Sequence, residues 1–362
     1  MKKLFRHEWK YYLLFTIVMT VILISNQNFE WIWDMHYEEI YNYEIEIGFM
    51  VETLSRQLNE YLLGSSVLIV LIGILALKAV FFWQEKDSYG REFFQTLPVT
   101  RIDRLIFHFV MDGLAIVIPV ICSALYSYFN SMKYLNMILL RIPGLATAIF
   151  GKMIVSIGYL LFMLCLINVL ECLFAGGFTR IVGTAGNIFI GYWSLYFISI
   201  LNEKSLWIQG VYKFFVPGTL LTGYESLWDW EDITVYGRGE PVTLSPVYDA
   251  AHFFSNADKG WYIGCLAGYV VLAVVLAATA VFLAGKQEQS KRDFYFVFGR
   301  YLTSGLISVA FCGMLLLNAT AVWHKCLIVL ASILLFIVLS YWMDLDRKPL
   351  KNIQLSRKHR VV

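Results

Sequence analysis

Charged side chains are scarce in this chain. Asp, Glu, Lys and Arg make up 15% of its 362 residues, against about 25% in an ordinary soluble domain. Too little charge is available to keep the surface of a soluble domain this size wet, which excludes that class. Cysteine is also scarce, and its placement excludes more than its number. Cys122, Cys165, Cys172, Cys265, Cys312 and Cys326 all fall within or beside apolar runs, none at a metal-ligand spacing, and the two long polar segments hold none. A disulfide framework and a metal centre are thereby excluded, and the cysteines read as small apolar core residues. No phosphate-binding loop occurs: the Gly-Lys pairs are Gly151-Lys152-Met153 and Gly285-Lys286-Gln287, neither followed by Ser or Thr. His7-Glu8 lacks the second histidine of His-Glu-x-x-His, and no Gly-x-Ser-x-Gly elbow is present. No basic stripe is interleaved with aromatics, which leaves a nucleic-acid partner without support. With no internal repeat, low-complexity tract or Gly/Ser linker, residues 1–362 read as a single membrane domain.

What the chain has is apolar length. Hydrophobic residues make up 59% of the sequence, and they cluster in eight runs at about 11–26, 63–84, 106–128, 145–174, 181–201, 260–285, 301–319 and 322–343. A spanning helix needs roughly 20 mostly apolar residues, and lipid offers the backbone no hydrogen-bond partner, so runs of this length predict helices. The fold class expected is an all-α integral membrane protein with about eight transmembrane helices. Lys2, Lys3, Arg6 and Lys10 before the first run resemble a signal peptide, but Ser25-Asn26-Gln27-Asn28 offers no small-x-small cleavage site, and the run reads as a retained span. With the amino terminus inside, nineteen Lys and Arg fall on inner segments and eight on outer ones. That bias places both termini in the cytoplasm. The formal net charge of +2 averages a basic inner face against acidic outer loops, and the basic side is expected to lie against anionic membrane lipid.

Three segments elaborate the bundle. Residues 2–13 put Leu4, Phe5, Trp9, Tyr12 and Leu13 on one side and Lys2, Lys3, Arg6 and Lys10 on the other, so 1–10 reads as an interfacial amphipathic helix that then turns into the first span. In the first outer loop, 27–62, Ile47, Val51, Leu54, Leu58 and Tyr61 recur at helical steps. The second span is therefore expected to project as a longer helix, its stripe packed on the protein's own outer loop, with cargo gripping as the alternative. The second outer loop, 202–258, is rich in aromatics beside acidic residues, with turns at Pro217-Gly218 and between Gly237 and Pro246. Short helices or turns at headgroup level fit that composition.

Four charges lie inside predicted spans. Lys78 and Lys152 are near enough to span ends to snorkel to water. Asp112 and Glu171 are either hydrated or paired with a neighbouring lysine, or else line a translocation path open to the cytoplasm. Gly260, Gly264 and Gly268 form a strip that admits a close helix, within this chain or across a dimer seam.

The most informative segment runs from Trp83 to Arg101, a short charged stretch between two spans. Its helix formers from Glu85 to Thr96 place Tyr89, Phe93, Phe94 and Leu97 near one face and Glu85, Arg91, Glu92 and Gln95 elsewhere, and Pro98 ends the turn. Such a helix on the cytoplasmic surface can lie in lipid or dock into a groove on a partner by apolar anchors. A glutamate, then Gly-x-Glu (Gly90 to Glu92), then Leu97-Pro98-Val99-Thr100-Arg101 resembles the cytoplasmic coupling loop of permease subunits in the type-2 ABC exporter family. The resemblance covers 83–105 strongly, and more loosely the amphipathic amino terminus, the order of spans and the outer loop before the sixth.

That resemblance implies export driven by a separate ATPase chain. The ATPase contact falls on the coupling loop, 85–105, at Glu85, Gly90, Glu92, Phe93, Leu97, Pro98 and Arg101. The implied partners are two ATPase subunits and a second permease chain, identical or paralogous, in the bacterial cytoplasmic membrane. This chain would bind no cofactor; ATP and Mg would sit in the partner ATPase. The implied cargo is a peptide, a drug or a lipid. Re-entrant helices are expected in 202–258. Family members have six spans, so 301–343 reads as an added hairpin. The basic loop 286–300 reads as an anchor, with a second ATPase contact as the alternative. Readings from other classes are a polytopic membrane enzyme, for which only Asp112 and Glu171 offer polar groups in the bilayer, and an ion-coupled secondary carrier, which expects an internal repeat.

Overall fold

Apolar runs that can satisfy their backbone only internally fold as helices, and helices dominate the computed structural model. It describes residues 2–34, 47–86, 101–137, 140–142, 144–173, 177–201, 205–216, 242–243, 259–289, 293–317 and 322–345. Ten helices are used below: α1 (Lys2–Ser25), α2 (Ile47–Asn59), α3 (Ser65–Lys86), α4 (Arg101–Met137), α5 (Leu145–Leu173), α6 (Gly177–Leu201), α7 (Leu206–Phe215), α8 (Lys259–Gln289), α9 (Asp293–Leu316) and α10 (Val322–Leu345). A two-residue parallel pairing joins β1 (Leu140–Arg141) to β2 (Val242–Thr243). Among the described residues seven helices are long and apolar enough to cross a membrane. Large apolar side chains such as Leu14, Leu68, Ile72, Val274, Ile333 and Leu334 stand more than half exposed along them. Lipid, not water, is the solvent that tolerates such a surface, and the chain is a multi-pass membrane protein.

Eight runs are predicted, and the seventh falls on α9, whose apolar part among the described residues is Tyr301–Leu316. One expectation about the spans changes. The amino-terminal segment does not turn before the first span. Helix α1 runs unbroken from Lys2 to Ser25, because no residue in it interrupts the backbone ladder.

The helices gather into two compact units. The first comprises residues 1–168 and 216–285, the second 169–215 and 286–362.

In the first unit α1 lies along α4 and touches α3. Gly73 permits that approach, since a Cβ there would stand 2.8 Å from the Met19 sulfur. Gln27 ties the end of α1 to α4, its Nε2 donating to the Ser123 hydroxyl (2.7 Å) and its Oε1 accepting from Ser127 (2.8 Å). The expected extension of the second span is present: α2 and α3 are joined by one π-helical turn, Glu60–Gly64. The wider turn alters the carbonyl pattern, and hydroxyls meet it. Ser65 donates to the Glu60 carbonyl (3.2 Å), Ser66 to that of Tyr61, and Ser156 of α5 to that of Leu62. The stripe packs on the protein itself. Leu54, Leu58 and Leu62 are enclosed with Phe29, Ile32, Ala124, Leu135 and Ile149.

Helix α8 meets α5 through Tyr269, whose ring lies edge-on to Tyr159 at 5.4 Å and stacked with Phe162 at 5.9 Å. Gly158 provides the room, because a Cβ there would come within 2.7 Å of Leu266. The strip Gly260, Gly264, Gly268 does not play this part at its centre: Gly264 is exposed, and a Cβ there would meet nothing within 4 Å. Intrachain packing as the reason for Gly264 is therefore corrected.

In the second unit α9 packs against both α6 and α10. Asn187 Nδ2 donates to Thr303 (3.0 Å), Ser194 to the Leu306 carbonyl (3.3 Å), and Ser304 and Ser340 hydroxyls share a bond of 2.9 Å. The expected hairpin, α9 and α10, thus packs on α6 through α9. Helix α7 folds back on α6, where Gln209 donates to the Ser199 carbonyl (2.7 Å). Burial pushes the Tyr212 phenol above its ordinary range, with nearby Tyr196 adding to it. Within 202–258, α7 and β2 are described; the expected re-entrant helices otherwise fall outside the described residues.

Candidate functional site

Isolated charges in a bilayer-spanning helix are costly and mark function by default. In the first unit they are gathered in one place. Lys78 of α3 and Asp112 of α4 form an ion pair, Nζ to Oδ2, at 3.1 Å. Their side chains are 10% and 1% exposed, so water screens the pair little. Lys78 also donates to Asn168 Oδ1 of α5 at 3.0 Å. The other carboxylate oxygen, Asp112 Oδ1, accepts from the Tyr12 hydroxyl of α1 at 3.1 Å. One turn back along α4, His108 Nδ1 lies 2.9 Å from that hydroxyl and 3.6 Å from Glu8 Oε2. Tyr12 has one proton and spends it on Asp112, so its oxygen accepts from His108 Nδ1–H. The line then reads Glu8, His108, Tyr12, Asp112, Lys78, Asn168, with four helices contributing.

Local sequence explains why each side chain arrives. Glu8 and Tyr12 are four residues apart on α1, as are His108 and Asp112 on α4, and that spacing stacks side chains on one helical face. Phe81 seals the group from the side: its ring lies 5.0 Å from Tyr12 and 5.6 Å from His108. Leu77, Ala115, Phe15 and Met111 complete the apolar jacket. An enclosed carboxylate facing an enclosed ammonium neutralises both, whereas either alone would carry a desolvation penalty of several kcal/mol.

Several sequence readings are revised here. Asp112 takes the paired arrangement and is buried, so it does not stand on an open path. Lys78 does not snorkel; it faces Asp112 because the bundle interior supplies a counter-charge nearer than water. Lys152 does not snorkel either, being fully buried in α5. Glu171 belongs to the second unit, is half-buried and has an interaction of its own. The sequence offered only Asp112 and Glu171 as polar groups for intramembrane chemistry, whereas five polar side chains converge on Asp112. Glu8, Tyr12 and His108 were missed as site residues, and the signal was there: two polar pairs at a spacing of four within apolar helices. Among the described residues no group of three or more His, Cys, Asp or Glu is disposed to hold a metal ion. All six cysteines carry free thiols; Cys165, Cys172 and Cys265 are buried as expected, while Cys326 is exposed.

The coupling-loop residues stand differently. Gly90, Glu92, Phe93, Leu97 and Pro98 lie outside the described residues. Glu85 and Arg101 are on the helical backbone at the ends of α3 and α4, their side chains outside the described set. Along the described helices, Lys78 is about 12 Å from Lys86 on α3, and Asp112 about 16 Å from Arg101 on α4.

Comparison of the chain with protein-family models, with curated proteins and with solved structures returns no match.

Proposed function

We propose that this chain is the transmembrane permease subunit of a bacterial ABC exporter, set in the cytoplasmic membrane with both termini inside. Residues 85–105 would dock on the ATPase, with two ATPase chains and a second permease, identical or paralogous, completing the assembly. The motif from Glu85 to Arg101 brings the family to mind, and the observation that carries the mechanism is the Lys78–Asp112 pair. It joins the two helices that flank that motif. A motor that closes on ATP would push the motif, and α3 and α4 would move as one body because a buried ion pair resists separation. Tyr12 and Asn168 extend the same constraint to α1 and α5. No covalent chemistry falls to this chain; ATP and Mg belong to the partner. A peptide, drug or lipid crosses as the spans switch between their two states.

Co-purification tests the reading. A tagged chain is expected to recover a soluble ATPase that carries a phosphate-binding loop, and reversing the charges of Glu92 and Arg101 together is expected to lower that recovery severalfold. Full transport by the chain purified alone would sink the exporter assignment.

One observation favours a second reading, an ion-coupled carrier. The hydrogen bonds from His108 through Tyr12 to Asp112 form a path along which a proton can be handed between titratable groups. Transport in sealed vesicles driven by a pH gradient, without ATPase or ATP, would select that reading over the first.

A further inference from the structure

A second feature opens beside the ion cluster. A cavity of about 510 Å³ lies in the first unit between α4, α5 and α8, within the range of small-molecule sites. Leu105 and Phe109 form one wall and Ala277, Ala280 and Val281 another; the run of alanines on α8 leaves the space that larger side chains would fill. Asn168 is the one amide in the lining. Its side chain is 2% exposed, and its orientation is fixed by Lys78, since an ammonium can only donate and therefore faces Oδ1. Nδ2 must then point away from Lys78, and it has no hydrogen-bond partner among the described residues.

A buried amide donor left unmet is costly, and hydrocarbon cannot meet it. A molecule in the cavity that carries an acceptor can meet it. The depth of the site says what that is. Leu105 lies about 4 Å inside the start of its apolar span at Ile102, and Val281 about 4 Å inside the end of its span at Ala284. That is the edge of the hydrocarbon, where the ester carbonyls of phospholipids reside between acyl chain and headgroup.

We propose that this cavity is a specific site for one acyl chain of a membrane phospholipid, whose ester carbonyl accepts a hydrogen bond from Asn168 Nδ2. The chain fills the apolar volume and the carbonyl meets the amide. Because the same amide holds Lys78 through its other atom, an occupied cavity fixes the group that positions the ammonium opposite Asp112. The site depends on the chain's being in a bilayer, and not on what the chain transports.

Photolabelling tests it. The full chain is reconstituted in dioleoyl phosphatidylcholine vesicles with a trace of phosphatidylcholine bearing a diazirine in its acyl chain. Label is expected to concentrate on Ile106, Phe109 and Val281, and unlabelled diester phosphatidylcholine to displace it on the order of fivefold better than the diether analogue, which lacks the carbonyl. Asn168→Leu should abolish that preference. Ala277→Trp should remove the label from these three positions while leaving it on the lipid-facing Val271 and Val274. Even labelling over all exposed faces, or equal displacement by diester and diether in the unaltered chain, would overturn the proposal. Neither of those outcomes depends on a variant folding, and neither bears on ATPase recovery.

Discussion

At one end of the first unit Leu54, Leu58 and Leu62 close against Phe29, Ile32 and Ile149; at the other Glu8, Lys78, His108 and Asp112 form the ion cluster. Both ends are shielded from water, yet they are held by different means. The leucine end lies on the extension beyond the second span, so it gains from leaving water as well as from fit and contact. The charged end gains from groups that lipid cannot satisfy, and it loses if any one of them is left alone. Shape could have served at both ends. On the exporter reading proposed above, ions retained at the charged end would suit a joint under load, where a purely structural joint has no need of them.

The largest effect is expected where a charge is stranded. Asp112→Ala leaves Lys78 without its counter-ion and should lower stability by about 3–5 kcal/mol, read as a fall in thermal midpoint in detergent. The double variant Lys78→Met with Asp112→Leu should recover most of that loss, and on the exporter reading proposed above it should still fail to stimulate the proposed ATPase partner. If the double variant recovered function as well, the two ends would be equivalent and the contrast would dissolve.

A somewhat smaller effect belongs to the apolar end. Leu58→Ala opens a cavity and should cost about 2–4 kcal/mol. On the exporter reading, activity per folded molecule should be unchanged, which an ATPase assay with the proposed partner, normalised to binding, would check. Loss of activity at constant folded fraction would mean that this end also takes part in switching.

The smallest effect concerns the polar clasp near the leucine end. Ser127→Ala removes one hydroxyl that Gln27 Oε1 accepts from, and should lower stability by about 1 kcal/mol with no functional change. Gln27→Leu is expected to exceed it, since Ser123 and Ser127 both lose their partner.

Much of this architecture was legible before any coordinates, for a reason that is itself physical. A backbone in lipid has one economical solution, so apolar length reads as helix almost without competition. The stripe from Leu54 to Leu62 was legible too, because helical periodicity is local. Lys78 and Asp112 were visible as charges in apolar runs, but their pairing was not. It joins positions 34 apart on separate helices, and no spacing rule reaches across a loop. Glu8 was hidden differently: it stands among Lys3, Arg6 and Lys10, where a carboxylate looks like one more solvated charge. The π turn left no mark at all, since Glu60-Tyr61-Leu62-Leu63-Gly64 is unexceptional as α-helix.

That turn has a consequence in angle. A π-helical turn accommodates one extra residue, and one residue is about 100° of rotation about a helix axis. Everything from Ser65 onward is therefore rotated by that amount relative to the azimuth that α2 would otherwise impose. With the turn in place, the leucine stripe and Lys78 each meet their partners on a single continuous rod. Deleting Gly64 would be expected to restore a uniform pitch and swing the Lys78 ammonium away from Asp112 into hydrocarbon, so that the two ends could no longer be satisfied together. The helix acts as a key cut with two bits at different angles, and the three serine hydroxyls at Glu60, Tyr61 and Leu62 keep the offset between them.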